Sequence, residues 1–158
     1  MASQLVMYEE EFHKINAVCD RLTKDANAKV VFLVDKNGQL ISAAGQTQHI
    51  DTTSLASLTA GNVAAMGGLA KLIGENEFPN QFHEGAANSL LMSKLGRVVL
   101  VVIFDNRTSL GLVRLRIKKA SDELTKIFEA LLKKTDAPGA GSPFAEISDD
   151  DIDNLFSE

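Results

Sequence analysis

The chain has 158 residues, a formal net charge of −5, 45% hydrophobic residues and 23% charged ones. That length suits one domain with enough core to fold alone, and the single cysteine, Cys19, excludes an internal disulfide and a cysteine zinc cluster. The charge is split: after Lys134 there are seven acids and no Lys or Arg, which leaves the remainder at +2. An acidic tail on a near-neutral body reads as a detachable arm, and it argues against nucleic acid as the main ligand, since phosphate binding needs concentrated Lys and Arg.

Residues 5–25 read as a helix. Leu5, Tyr8, Phe12, Ile15, Cys19 and Leu22 recur at three- and four-residue steps, so Cys19 falls on an apolar stripe and reads as core. No secretory-type apolar segment stands at the N-terminus, and the expectation is a cytoplasmic protein. Residues 30–34 are a short β-branched strand. Asp35-Lys36-Asn37-Gly38 follows as a turn, because Asn-Gly accepts positive φ, and 39–44 return as a second strand.

The next stretch, from Thr52 to Ala70 (TTSLASLTAGNVAAMGGLA), contains no charge. Asp51 or Thr52 caps its start and Gly74 follows its end, so it reads as a helix. At 100° per residue Leu55, Leu58, Met66, Leu69 and Ile73 share one side. The opposite side carries Ser57, Gly61, Ala64 and Gly68. A solvent-facing stripe is normally charged, and each helical glycine costs about 1 kcal/mol relative to alanine. A bare, uncharged face therefore points to close approach by another backbone, either within the domain or across a subunit or partner interface. Asn62 and the Thr and Ser residues argue against a membrane span.

Residues 75–80 form a loop, 81–85 a polar edge strand and 88–94 a fourth strand. After the Leu95-Gly96 turn, 97–104 (RVVLVVIF) are continuously apolar, as in a strand buried on both faces. Helices must then cover both sides of the sheet. A third helix runs from after Ser109 to about 134, with Lys118–Asp122 and Lys119–Glu123 as expected surface pairs. Residues 135–143 hold two of the three prolines and read as a linker. In 144–158, Ser148 and the following acids resemble a capped helix start, with Ile152, Leu155 and Phe156 on one face. So short a helix is marginal alone, and the tail is expected to be disordered when free and to fold on an apolar surface with a basic rim, against the plainer reading of a tail that only aids solubility. The domain boundaries are thus 1–134, 135–143 and 144–158, and hairpin connections make the class α+β with an antiparallel sheet.

Chemistry of its own is hard to find. There is no P-loop sequence, no nucleophile-elbow serine, and His13, His49 and His83 lack ligand spacing. No metal or cofactor is expected, and an enzyme is improbable. Arg97, Arg107, Arg114 and Arg116 remain as candidates for an arginine supplied in trans to a nucleotide hydrolase, each against the plainer reading of a surface or rim ion pair.

In this order, VVFLVDKNGQLISAAG, the small-residue helix, RVVLVVIFDNRTSLGLVRL and the closing PFAEISDDDIDNLFSE resemble the Roadblock/LC7 family, in its bacterial branch, over nearly the whole chain. The resemblance implies a profilin-like α/β/α sandwich. Its order is α-β-β-α-β-β-β-α plus a short C-terminal helix, with the central helix on one face of a five-stranded sheet. It implies a homodimer joined through that helix and an edge strand, forming a platform for a small Ras-like GTPase (MglA-like), two copies per GTPase. It further implies activation of GTP hydrolysis without an arginine finger, in control of bacterial cell polarity and motility, with enrichment at a cell pole. Ala64 and Gly68, with Ser57 and Gly61 beside them, take the platform role. Phe144, Ile147, Ile152, Leu155 and Phe156 take a second contact on the GTPase that tunes affinity or nucleotide exchange. The alternative is a scaffold that tethers a GTPase or motor complex without changing its rate. Residues 85–95 carry little family signature, and their register stays open.

Overall fold

A computed structural model describes residues 8–136 of the chain. The elements are α1 (Glu9–Asp25), β1 (Val30–Asp35), β2 (Leu40–Gly45), α2 (Thr52–Leu72), β3 (Asn80–Glu84), β4 (Ser89–Leu95), β5 (Val98–Phe104) and α3 (Leu110–Asp136). The strands form one antiparallel sheet in the order β2-β1-β5-β4-β3. α3 continues two residues past its expected end. Leu5, the rest of the linker, and the tail residues Phe144, Ile147, Ile152, Leu155 and Phe156 lie outside the described residues.

The apolar strands are two-faced because side chains alternate along a strand. Val31 and Leu33 of β1, with Leu100 and Val102 of β5, pack under α1 and α3. Val30, Phe32 and Val34, with Val99 and Val101, face the α2 side. The expected α/β/α sandwich follows from that alternation. β4 keeps a continuous register, from Ser89 opposite Phe104 to Leu95 opposite Val98, which sets 89–95. Gly38 adopts φ +87° in the β1–β2 turn, as the Asn-Gly pair requires.

On α1, Ile15, Cys19 and Leu22 are buried as the stripe predicts, but Phe12 is 39% exposed. Glu11 is buried in its stead, and Lys134 Nζ donates to its Oε1 at 2.9 Å. That bond is the main cause holding the Glu11 carboxyl below its ordinary range. The expected Lys118–Asp122 and Lys119–Glu123 pairs do not form. Glu123 pairs instead with Arg21 of α1 at 3.1 Å.

α2 departs further from its sequence pattern. Asp51 is its N-cap, accepting from the Ser54 amide at 3.1 Å and the Ser54 hydroxyl at 2.6 Å. Gly74, at φ +86°, follows its end. The side that meets the sheet is small: Ala56, Thr59 and Ala70 are buried, with Val63 half-buried beside them. Of the large side chains, only Leu55 and Met66 are partly covered, while Leu58, Leu69 and Ile73 are 72%, 44% and 64% exposed. The sheet supplies the bulk on this face through Phe32, Val30, Val34 and Met92. At interior packing density, small helix residues are what let α2 lie close upon them.

Candidate partner-docking surface

With its small side on the sheet, α2 turns the rest of its uncharged surface outward. Ser57, Gly61, Ala64 and Gly68 are all exposed. A Cβ built on Gly61, Gly67 or Gly68 meets nothing within 4 Å. No described element of this chain therefore needs those glycines as spacers, which removes the reading of close packing within the described domain. The strip lies along a 21-residue helix, about 30 Å long at 1.5 Å per residue. Leu58, Leu69 and Ile73 stand along one shoulder of it, and contiguous exposed apolar surface on this scale marks interaction sites.

The other shoulder is bounded by the β1–β2 turn, which is held rigidly. Arg97 Nε donates to Asp35 Oδ1 at 2.8 Å and its Nη2 to Oδ2 at 3.2 Å. Asp35 is 3% exposed, so this is a two-pronged, mostly buried pair of the stronger kind. Next to it the Lys36 amide donates to the Arg97 carbonyl at 2.8 Å. The turn lies against α2: a Cβ on Gly38 would lie 3.6 Å from Ser57 Cα. Between the turn, the β4–β5 strand ends and α2 opens a cleft of about 810 Å³. Its walls include Ala60, Val63, Gly67 and Val99, and its rim carries Lys36, Lys71, Lys94 and Arg97. Lys94 pairs with Glu77 at 2.5 Å. Neither Lys36 nor Lys71, both exposed, has an ion-pair partner among the described residues.

The four arginines singled out by sequence do not converge on this surface as a free cation. Arg97 is engaged with Asp35. Arg107 Nε donates to Asp105 Oδ1 at 3.0 Å, the main cause holding the Asp105 carboxyl below its usual range. Arg114 and Arg116 sit on α3, whose Val113 and Ile117 pack on the opposite side of the sheet from α2. Cys19 is fully buried, and desolvation pushes its thiol up to about 11. Among the described residues no group of His, Cys, Asp and Glu could hold a metal ion. No described helix is long and apolar enough to cross a membrane.

Sequence reasoning located the bare strip but missed the Asp35–Arg97 clamp, which joins residues 62 positions apart. It also missed that the large α2 side chains point outward. The one signal for the latter lay in Ala56, Thr59, Val63 and Ala70, a second small-residue stripe at helical spacing.

Residues 14–104 match the family model described as Roadblock/LC7 domain. Among solved structures, Myxococcus xanthus MglB is 91% identical, with a TM-score of 0.77 over 80% of this chain and 96% of that one. The gliding protein mglB of Thermus thermophilus is 30% identical, with a TM-score of 0.75 over 82% and 99%. A structure described as MglB with tetrameric arrangement is 29% identical, with a TM-score of 0.77 over 83% and 99%. Three helices around a five-stranded antiparallel sheet are common ground between this chain and these structures.

Proposed function

This chain belongs to the Roadblock/LC7 family, and from that premise we propose that it is an MglB-like regulator that stimulates GTP hydrolysis by a small Ras-like GTPase. One observation carries the reading: an uncharged strip on α2, exposed at Ser57, Gly61, Ala64 and Gly68, where a Cβ built on Gly61 or Gly68 meets nothing within 4 Å. Two copies pair through the Leu58, Leu69 and Ile73 shoulder and the outer edge of β3. Their strips then lie side by side and hold one MglA-like GTPase. Similarity to an MglB, to a gliding protein and to an MglB with tetrameric arrangement supports an assembled regulator of gliding motility, and the family resemblance adds control of cell polarity.

No catalytic group need come from this chain. Binding the active arrangement of the partner's switch segments better than the inactive one shifts their population. A tenfold preference corresponds to about 1.4 kcal/mol. The partner's own groups then orient the attacking water and stabilise the transition-state charge. On the resemblance alone, Phe144, Ile147, Ile152, Leu155 and Phe156 make a second contact on the GTPase, away from its nucleotide pocket.

The test is single-turnover GTP hydrolysis by the cognate Ras-like GTPase, with and without this protein, repeated with Arg107→Ala, Arg114→Ala and Arg116→Ala. Stimulation that survives all three supports activation through the partner's own residues. Loss on one change with binding retained would reveal an arginine supplied in trans. Binding without stimulation would leave a scaffold.

A further inference from the structure

We propose that in the free protein the acidic tail, residues 144–158, seats in the chain's own basic-rimmed cleft between α2 and the β1–β2 turn. The cleft has apolar walls at Ala60, Val63, Gly67 and Val99. Its rim presents Lys36 and Lys71 without ion-pair partners among the described residues. The chain beyond Asp136 has the complementary chemistry. It holds six acids and no Lys or Arg, with Phe144, Ile147, Ile152, Leu155 and Phe156 among them.

The place where the described chain ends makes the seat reachable. Lys134, two residues before Asp136, bonds to Glu11 and lies 5.0 Å from the centroid of the Tyr8 ring. Tyr8 and Asp35 line a neighbouring groove of about 480 Å³, and Asp35 is the partner of Arg97 on the cleft's rim. The chain thus leaves the body on the α1–α3 side of the sheet, at the end that carries the β1–β2 turn, and passes that end to reach the cleft on the α2 side. Residues 137–144 alone span up to roughly 25 Å when extended, and 22 residues follow Asp136 in all. The neighbouring groove is apolar too, through Phe12, Leu40 and Ile41, but Glu9 and Asp35 line it. That groove has no Lys or Arg in its lining and Asp35 is already held by Arg97, whereas the cleft's one acid, Glu77, is paired with Lys94 and leaves Lys36 and Lys71 to favour an acidic segment. Coulomb attraction at a surface weakens with salt, so the seat is reversible. If α2 holds the GTPase as proposed above, the seated tail covers Ala64 and Gly68 at the cleft's edge, and the GTPase must displace it.

The test uses the full chain without any GTPase, so its failure leaves the hydrolysis reading untouched. Cys19 is buried with its thiol raised, so Ser157→Cys provides one reactive thiol for a nitroxide label. Amide signals at Val63, Gly67 and Lys71 are expected to lose at least half their intensity, selectively, in low salt. Lys36→Glu with Lys71→Glu, both at exposed positions, should abolish that loss while the amide spectrum stays dispersed. Uniform loss, no loss, loss that survives the double charge reversal, or loss centred on Phe12 and Leu40 would each overturn the seat. In a mixture of isotope-labelled chains lacking the nitroxide with nitroxide-bearing chains lacking the isotope, loss of the same signals would assign a second copy's tail and overturn the seat within one chain.

Discussion

Replacing Gly61 and Gly68 together by alanine separates what the chain needs from what a partner needs. Both glycines are helical, neither has positive φ, and an added Cβ meets nothing within 4 Å at either. Each methyl removes a helix-propensity penalty of about 1 kcal/mol, with about 0.4 kcal/mol as the lower end for compatible sites. The pair should therefore stabilise the protein by about 1–2 kcal/mol, and raise the melting temperature by roughly 2–8 °C for a chain of this size. Against a closely packed GTPase the same two methyls intrude, and overpacking costs about 1–3 kcal/mol. That corresponds to a loss of affinity of roughly 5- to 150-fold. Thermal melts followed by circular dichroism read the first effect, and titration of the GTP-loaded partner reads the second. Higher stability with unchanged affinity would refute the strip as a docking surface. Lower stability would refute the open geometry of the strip itself.

Three further outcomes follow from the same geometry. Leu58→Asp with Leu69→Asp should convert a paired species to single chains in sedimentation, because both side chains are exposed within the chain and lose their use without a partner; an unchanged mass would move the pairing surface elsewhere. Glu11→Gln should destabilise the protein only at higher pH. The folded carboxyl lies below its unfolded value, so its contribution is present above about pH 4–5 and fades as pH falls through the folded value; urea titrations at pH 7 and pH 3 should show the parent–variant difference shrinking in acid. Asp51→Ala removes both bonds to Ser54 and should lower the melting temperature through the start of α2, whereas Asp51→Ser, another good N-cap, should restore most of it.

Where sequence and structure agree, one physical signal dominates locally. Asn37-Gly38 had to be a turn, and RVVLVVIF had to be a strand buried on both sides. The α2 facing was not legible, because periodicity shows which residues share a side and not which side meets the core. Phe32 and Met92, from other strands, fill the space that large helix residues ordinarily take. The choice between close packing within the domain and packing against a partner was equally invisible until the space around Gly61 and Gly68 was known. The Arg97 role turned on Asp35, placed beside it only by β1–β5 pairing, in which Asp35 stands opposite Val98.

The central claim is that α2 docks a GTPase and thereby speeds hydrolysis. The most direct test is single-turnover GTP hydrolysis by the cognate GTPase with this protein and with its Ala64→Arg, Gly68→Arg double variant. Both positions are exposed, so the variant should keep its melting temperature to within a few degrees. The account predicts that stimulation is lost together with binding. Undiminished stimulation by a folded double variant would contradict it.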